Sequence, residues 1–159
     1  MQPSFRFNLG KIWRVRTRLR GEAWITMNEQ IVQNPKGGAD CDSIWLLDDD
    51  LSMLKALGRL LSSVGLIAEK FSDPVAFLAR LKQATCRVAI LDVWMPQMNG
   101  LEVQARLRRD SPKTHIIFVT GRDDPSVRQT ATDAGAFAFL TKPFEDETLV
   151  QLVRKAFGC

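Results

Sequence analysis

The sequence predicts an α/β fold in which a parallel sheet is wound with helices on both faces. Two observations carry that expectation. From Ser43 onward, short apolar runs alternate with stretches whose apolar residues recur at helical spacing, five times over. The runs are continuously apolar, as the strands of a parallel sheet covered on both faces must be.

The elements follow in order. Ile44-Trp45-Leu46-Leu47 is a buried strand closed by Asp48. Leu51, Leu54, Leu57, Leu61 and Val64 recur at helical spacing, and Gly65 offers a helix C-cap. Leu66 to Phe71 is read as the second strand. Ser72 or Asp73 can cap the next helix, with Pro74 in its first turn and Val75, Phe77, Leu78 and Leu81 along it. Val88-Ala89-Ile90-Leu91 is the third strand, ending at Asp92. Leu101 to Leu107 is the third helix, closed before Ser111-Pro112. Ile116 to Val119 is the fourth strand, with His115 at its start in a structural role and Thr120 at its end. Val127, Ala131 and Ala134 mark the fourth helix, stopped by Gly135. Phe137 to Leu140 is the fifth strand, followed by Thr141-Lys142-Pro143. Leu149, Leu152, Val153 and Ala156 mark the last helix. Phe118, Phe137 and Phe157 are core candidates, and Arg106, Arg108 and Arg109 read as a solvated helix face.

Composition bounds the function classes. The 159 residues are 45% hydrophobic and 25% charged, ordinary values for a globular domain that buries its own core. No apolar run approaches the roughly 20 residues that cross a bilayer. The net charge of +4 resembles a nucleic-acid signal, but its distribution removes it. Residues 1–39 hold seven Lys/Arg against two Asp/Glu, and residues 40–159 hold fifteen against sixteen. No direct nucleic-acid binding is therefore expected of the main body. Residues 1–40, broken by Gly10, Gly21, Pro35, Gly37 and Gly38, are read as a basic, disordered extension, and residues 41–159 as the folded domain. Met27 is an alternative start, which would put residues 1–26 outside the native product. Cys41, Cys86 and Cys159 form no C-x-x-C pair and His115 is the sole histidine, so neither a zinc site nor a disulfide framework is expected. A reducing, cytoplasmic compartment is the expectation.

The chemistry lies at the strand ends. In an open parallel sheet, ligands bind beyond the carboxyl ends of the strands. Asp48-Asp49-Asp50, Asp92, Thr120 and Lys142 stand directly behind apolar runs and should share that edge. Clustered carboxylates resist joint ionisation, and a divalent cation with hard-oxygen preference, such as Mg²⁺, relieves them. A lysine and a hydroxyl beside them can grip further anionic oxygens. The set fits phosphoryl transfer to an aspartate.

These residues resemble a known family, the receiver domain of bacterial two-component response regulators. The resemblance spans residues 43–157 and rests on Ile44-Trp-Leu-Leu-Asp-Asp-Asp50, Ile90-Leu-Asp-Val-Trp-Met-Pro-Gln-Met-Asn-Gly100, Ile117-Phe-Val-Thr-Gly121 and Ala134-Gly-Ala-Phe-Ala-Phe-Leu-Thr-Lys-Pro-Phe144. It implies a flavodoxin-like (βα)5 fold with strand order 2-1-3-4-5. It makes Asp92 the phosphoacceptor and implies Mg²⁺ held by Asp48, Asp49, Asp92 and the backbone carbonyl of Trp94. It assigns Thr120 and Lys142 to the phosphoryl oxygens, Phe139 to the aromatic switch, and Pro96, Gly100, Gly121 and Pro143 to the flanking loops. In the family, Thr120 would move toward the phosphoryl group and the ring of Phe139 would turn inward behind it. The Lys142-Pro143 bond is often cis there. The implied partners are a sensor histidine kinase and a downstream protein or an output domain that does not follow the last helix here. A phosphorylation-dependent homodimer is a further expectation. The chain then reads as a stand-alone receiver or a piece of a longer regulator, in the style of nitrogen-fixation and nitrate-response regulators.

Trp94 and Arg122 are bulkier than is usual at their positions, which influence aspartyl-phosphate hydrolysis in the family; Trp94 is expected to shield the phosphoryl group. Each motif also has a plainer reading. Asp48 to Asp50 can cap a helix, Thr120-Gly121 can be a turn, and Lys142 can be a surface lysine. Asp48-Asp49-Asp50-Leu51-Ser52 also fits the D-x-D-x-[ST] start of haloacid-dehalogenase-type phosphatases, with Asp48 as nucleophile and Asp50 as acid/base. That alternative leaves the Asp92 to Gly100 segment without a role. A scaffold that keeps the fold without phosphorylation is the third reading.

Overall fold

The computed structural model describes residues 43–158. The expected extension, residues 1–40, lies outside them. Five strands and five helices alternate: β1 (Ile44–Leu47), α1 (Leu51–Ser63), β2 (Ala68–Phe71), α2 (Pro74–Leu81), β3 (Val88–Leu91), α3 (Gly100–Asp110), β4 (His115–Thr120), α4 (Pro125–Asp133), β5 (Ala138–Thr141) and α5 (Asp146–Phe157). All neighbours pair in parallel, in the order β2-β1-β3-β4-β5. The chain therefore reverses its winding direction between β1 and β3, and the crevice beyond their carboxyl ends is the switch point.

Successive strand residues face opposite sides of the sheet. Trp45, Leu47, Ala89, Leu91, Ile116 and Phe118 join Phe77, Val103, Leu107 and Ala131 from α2, α3 and α4 in one core. Ile44, Leu46, Val88, Ile90, Ile117 and Val119 join Leu54, Leu57, Leu61, Leu149 and Val153 from α1 and α5 in the other. Both faces of the central strands are buried, which explains why their sequence never alternates with polar residues. Trp45, Phe71 and Phe77 meet with ring centroids 5.3–5.5 Å apart, each pair contributing about 0.5–1.5 kcal/mol beyond burial.

Local chemistry sets the ends. Asp50, Asp73, Asn99 and Asp124 cap α1, α2, α3 and α4 by accepting backbone N–H groups of the first turn. Gly65 and Gly135 take left-handed backbone with φ of 81° and 82°. Each closes its helix in a Schellman arrangement, with Leu66 N–H donating to Leu61 O and Ala136 N–H to Ala131 O.

Several expectations shift. β2 begins at Ala68, because Leu66 is used in closing α1. It is an edge strand with Glu69 and Lys70 exposed, so it lacks the double burial of its neighbours. Leu51 and Val75, counted among the apolar residues of their helices, are 59% and 58% exposed; each sits in a first turn at the rim of the sheet, beyond the packed layer. Val64 and Ala134 are C-caps, outside their helices. β5 runs one residue later than expected, so Phe137 precedes it. Phe118 is fully buried, whereas Phe137 and Phe157 are half-buried and pack on the core margin. His115 heads β4 with its ring edge-on to Phe137 at 4.9 Å. Arg108 is not merely solvated: its Nε donates to Ala134 O at 3.2 Å, its Nη1 to Pro112 O and Thr114 O, and its Nη2 to Gly135 O. No helix among the described residues is long and apolar enough to cross a membrane.

Candidate functional site

The register of the sheet assembles the site. Leu47 pairs with Leu91, so Asp48 and Asp92 leave adjacent strands side by side, and Asp92 N–H donates to Leu47 O at 2.8 Å. Thr120 pairs with Thr141, and Lys142 N–H then donates to Thr120 O at 2.7 Å. Four strand ends thus deliver their polar residues to one edge.

A cavity of about 330 Å³ opens there, lined by Asp48, Asp49, Asp50, Asp92, Trp94, Gly121, Arg122 and Lys142. One carboxylate oxygen from each of Asp48, Asp49 and Asp92 lies within 4.8 Å of the others. Asp48 and Asp92 are buried, at 3% and 8% exposure, and Asp49 is exposed. Lys142 Nζ donates to Asp48 Oδ2 at 3.0 Å, and Asp50 N–H donates to Asp48 Oδ1 at 2.8 Å. Burial pushes the Asp92 carboxyl up to about 6, and the neighbouring charge of Asp48 adds to this. Lys142 and the Val93 N–H pull it partly back, and Asp49 raises it a little further.

The donor set suits a hard divalent cation. Three carboxylates converge on one point, and the Asp92 carboxyl, raised first by burial and then by the charge of Asp48, marks a site where such a cation would favour the ionised form.

The surrounding loops fix these groups. Gly100 N–H donates to Val93 O at 2.9 Å, seating the start of α3 against the backbone that follows Asp92. A Cβ on Gly100 would stand 2.3 Å from Asp92 O and 3.0 Å from the Phe118 ring, so only glycine permits this approach. Gly121 is different, since a Cβ there would meet nothing within 4 Å. Pro96 and Pro143 are exposed loop residues, and the Lys142-Pro143 bond is cis. Trp94, 42% exposed, forms one wall, with the Arg122 guanidinium 4.9 Å above its ring centroid.

Two expected site residues stand back from the cavity. Thr120 is fully buried, and its hydroxyl pairs with the Arg122 backbone, accepting from N–H and donating to C=O at 3.3 Å. Phe139 is half-buried beside Phe118, centroids 5.9 Å apart, under the guanidinium of Arg128. Asp50 accepts Ser52 N–H at 2.8 Å and Met53 N–H at 3.4 Å, so the position that a phosphatase would use as acid/base is occupied with capping. Arg122 and Arg128 are the contacts whose geometry the sequence did not disclose. Their partners are aromatic rings on other elements, and no local pattern announces such a stack.

The fold and this acidic switch-point cavity define a receiver domain, a signalling module rather than a metabolic enzyme. Residues 44–154 match the family model of the response regulator receiver domain, and the chain belongs to that family. It is 42% identical over 113 residues to the response regulator protein TodT of Pseudomonas putida, covering 71% of this chain and 50% of that protein. It is 34% identical to the transcriptional regulatory protein FixJ of Bradyrhizobium diazoefficiens, covering 71% of this chain and 55% of that one. Among solved structures, the beryllofluoride-activated NtrC4 receiver domain dimer superposes with a TM-score of 0.70 at 26% identity, covering 74% of this chain and 97% of that one. The chain spans about half the length of the curated relatives named here.

Proposed function

We propose that this chain accepts a phosphoryl group on Asp92 from a histidine-phosphorylated sensor kinase. The observation that carries the reading is the convergence of Asp48, Asp49 and Asp92 on one point with Lys142 paired to Asp48. The Asp92 carboxylate oxygen forms the new bond to phosphorus as the phosphorus–nitrogen bond to the donor imidazole breaks, and the electron pair stays on that imidazole. Asp48, Asp49, Asp92 and the Trp94 carbonyl would hold Mg²⁺. Bound there, Mg²⁺ supplies positive charge against the acidic cluster and the transferring group. Lys142 is already held at the site by Asp48 and is the natural counter-ion for one phosphoryl oxygen. The Thr120 hydroxyl would serve another after giving up its bonds to the Arg122 backbone.

The α4-β5-α5 face would then change its affinity for a downstream protein, an output domain or a second copy of the chain. A homodimer draws support from the dimeric NtrC4 receiver. Light scattering with and without a phosphoryl mimic tests it, and a monomer in both samples rejects it. A cytoplasmic location follows from the kinase partner and remains part of the proposal.

Incubation with Mg²⁺ and acetyl phosphate, followed by intact mass measurement, tests the acceptor. One phosphoryl adduct that requires Mg²⁺ and disappears in Asp92→Ala is the expected result. No adduct from acetyl phosphate or from a phosphorylated histidine kinase would reject the reading.

A further inference from the structure

α4 sits on the sheet with little apolar support: Ala131 is its single buried residue. Polar contacts at its two ends therefore weigh heavily in its placement. Its C-terminal end is fastened by α3. Gln104 Nε2 donates to Ala131 O at 2.9 Å and Ala134 O at 3.3 Å, and Arg108 adds its bonds to Ala134 O and Gly135 O.

The N-terminal half is held by Arg128. Its Cζ lies 4.7 Å from the Phe139 ring centroid. Its Nη2 donates to Asp123 Oδ1 at 2.8 Å and to Thr141 Oγ1 at 3.1 Å. Phe139 and Thr141 are two apart on β5 and share the face that α4 covers. One side chain thus ties the β4–α4 loop, α4 and β5 together directly over the ring. The same ring also meets Phe118, whose own edge lies where a Cβ on Gly100 would touch it, next to the Asp92 backbone.

We propose that Arg128 is a positioning residue for Phe139: it clasps the ring in its present place, and loss of the clasp frees the ring to turn. The clasp itself stands on the contacts above; its consequence for ligand binding rests on Asp92 being the phosphoryl acceptor and on Phe139 being the aromatic switch that the family resemblance implies. A ligand at Asp92 that draws the ring inward must break the stack, so removing the stack tightens that ligand, by the reciprocity of coupled equilibria. The half-exposed setting of the pair sets the expected gain at about threefold to tenfold.

The test uses the full chain labelled with fluorophenylalanine, with the Phe139 signal assigned through Phe139→Leu. Arg128→Met removes the charge and keeps the stem, and Arg128→Lys keeps a cation without the planar fork. Asp123→Asn leaves the stack but loses its ion pair. Beryllium trifluoride with Mg²⁺ is titrated as the phosphoryl mimic and followed by tryptophan emission, since Trp94 lines the cavity. The clasp predicts a shifted or broadened Phe139 signal in Arg128→Met, mimic binding about threefold to tenfold tighter, and smaller changes in the other two variants. An unmoved Phe139 signal with unchanged mimic affinity in Arg128→Met overturns it. If the unsubstituted chain does not bind the mimic, the acceptor reading falls, and the Phe139 signal alone decides the clasp.

Discussion

Lys142 Nζ lies 3.0 Å from Asp48 Oδ2, although 94 residues separate the two in sequence. The pair links the ends of the first and last strands and satisfies the second oxygen of a buried carboxylate whose first oxygen accepts from Asp50 N–H. Lys142→Met should therefore destabilise the metal-free chain by about 1–3 kcal/mol, the cost of a buried acceptor left without its partner. It should also tighten divalent-cation binding, because a competing positive charge leaves the acidic cluster. Thermal melts in chelator and in Mg²⁺ check both: the deficit in chelator should shrink when Mg²⁺ is added.

Asp92 gives a pH signature of its own. Its folded carboxyl is raised to about 6 from an ordinary value of 3.8. Between those values the folded state binds the proton and the unfolded state has lost it, so stability falls as pH rises. The cost is complete above about 6 and absent below about 4. Asp92→Asn should raise the melting temperature of the metal-free chain at neutral pH, by the equivalent of about 1–2 kcal/mol. The gain should vanish near pH 4. A constant offset across the range would contradict the assignment of the shift to Asp92.

Gly100 and Gly121 both flank the cavity, yet their substitutions should diverge. A Cβ at Gly100 collides with the Asp92 carbonyl and crowds the Phe118 ring. Gly100→Ala should cost about 1–3 kcal/mol through overpacking and should weaken cation binding by displacing Asp92. Gly121→Ala meets open space and should leave both properties nearly unchanged. Chemical denaturation and a Mg²⁺ titration on the two variants make the comparison.

Most of this architecture was legible in the sequence because it depends on local pattern. Continuous apolar runs such as Val88 to Leu91 declare doubly buried strands, and parallel register then carries Asp48 and Asp92 to the same edge without further information. Pattern failed at the margins. Leu51 and Val75 have helical spacing but lie above the packed layer, and spacing carries no information about where a core stops. The arginines were the larger gap. Arg108 binds backbone carbonyls of two loops, and Arg122 and Arg128 stack on rings from other elements. A carbonyl has no sequence identity, and a cation–π pair has no fixed spacing, so such contacts emerge only when the chain is folded. Thr120 was read correctly as a strand end, but the direction of its hydroxyl toward the Arg122 backbone depends on a rotamer that residue type does not set.

Trp94 and Arg122 form one wall of the cavity, and their stacking has a kinetic consequence. The indole lies two residues beyond Asp92 and is 42% exposed, with the guanidinium 4.9 Å above it. Were Asp92 phosphorylated as proposed, hydrolysis would need a water in line with the phosphorus–oxygen bond, and the indole that lines the cavity would obstruct that approach. The guanidinium restrains the ring and adds a cation–π attraction of about 0.5–1 kcal/mol at such a surface site. Trp94→Ala should therefore shorten the lifetime of the phosphorylated chain several-fold while leaving the melting temperature almost unchanged, since the side chain is outside both cores. Arg122→Gln should shorten it less, because the ring remains but is no longer pinned. Following loss of the phosphoryl adduct by intact mass after removal of the donor measures both lifetimes, and equal lifetimes in the Trp94→Ala and unsubstituted chains would show that the indole shields nothing.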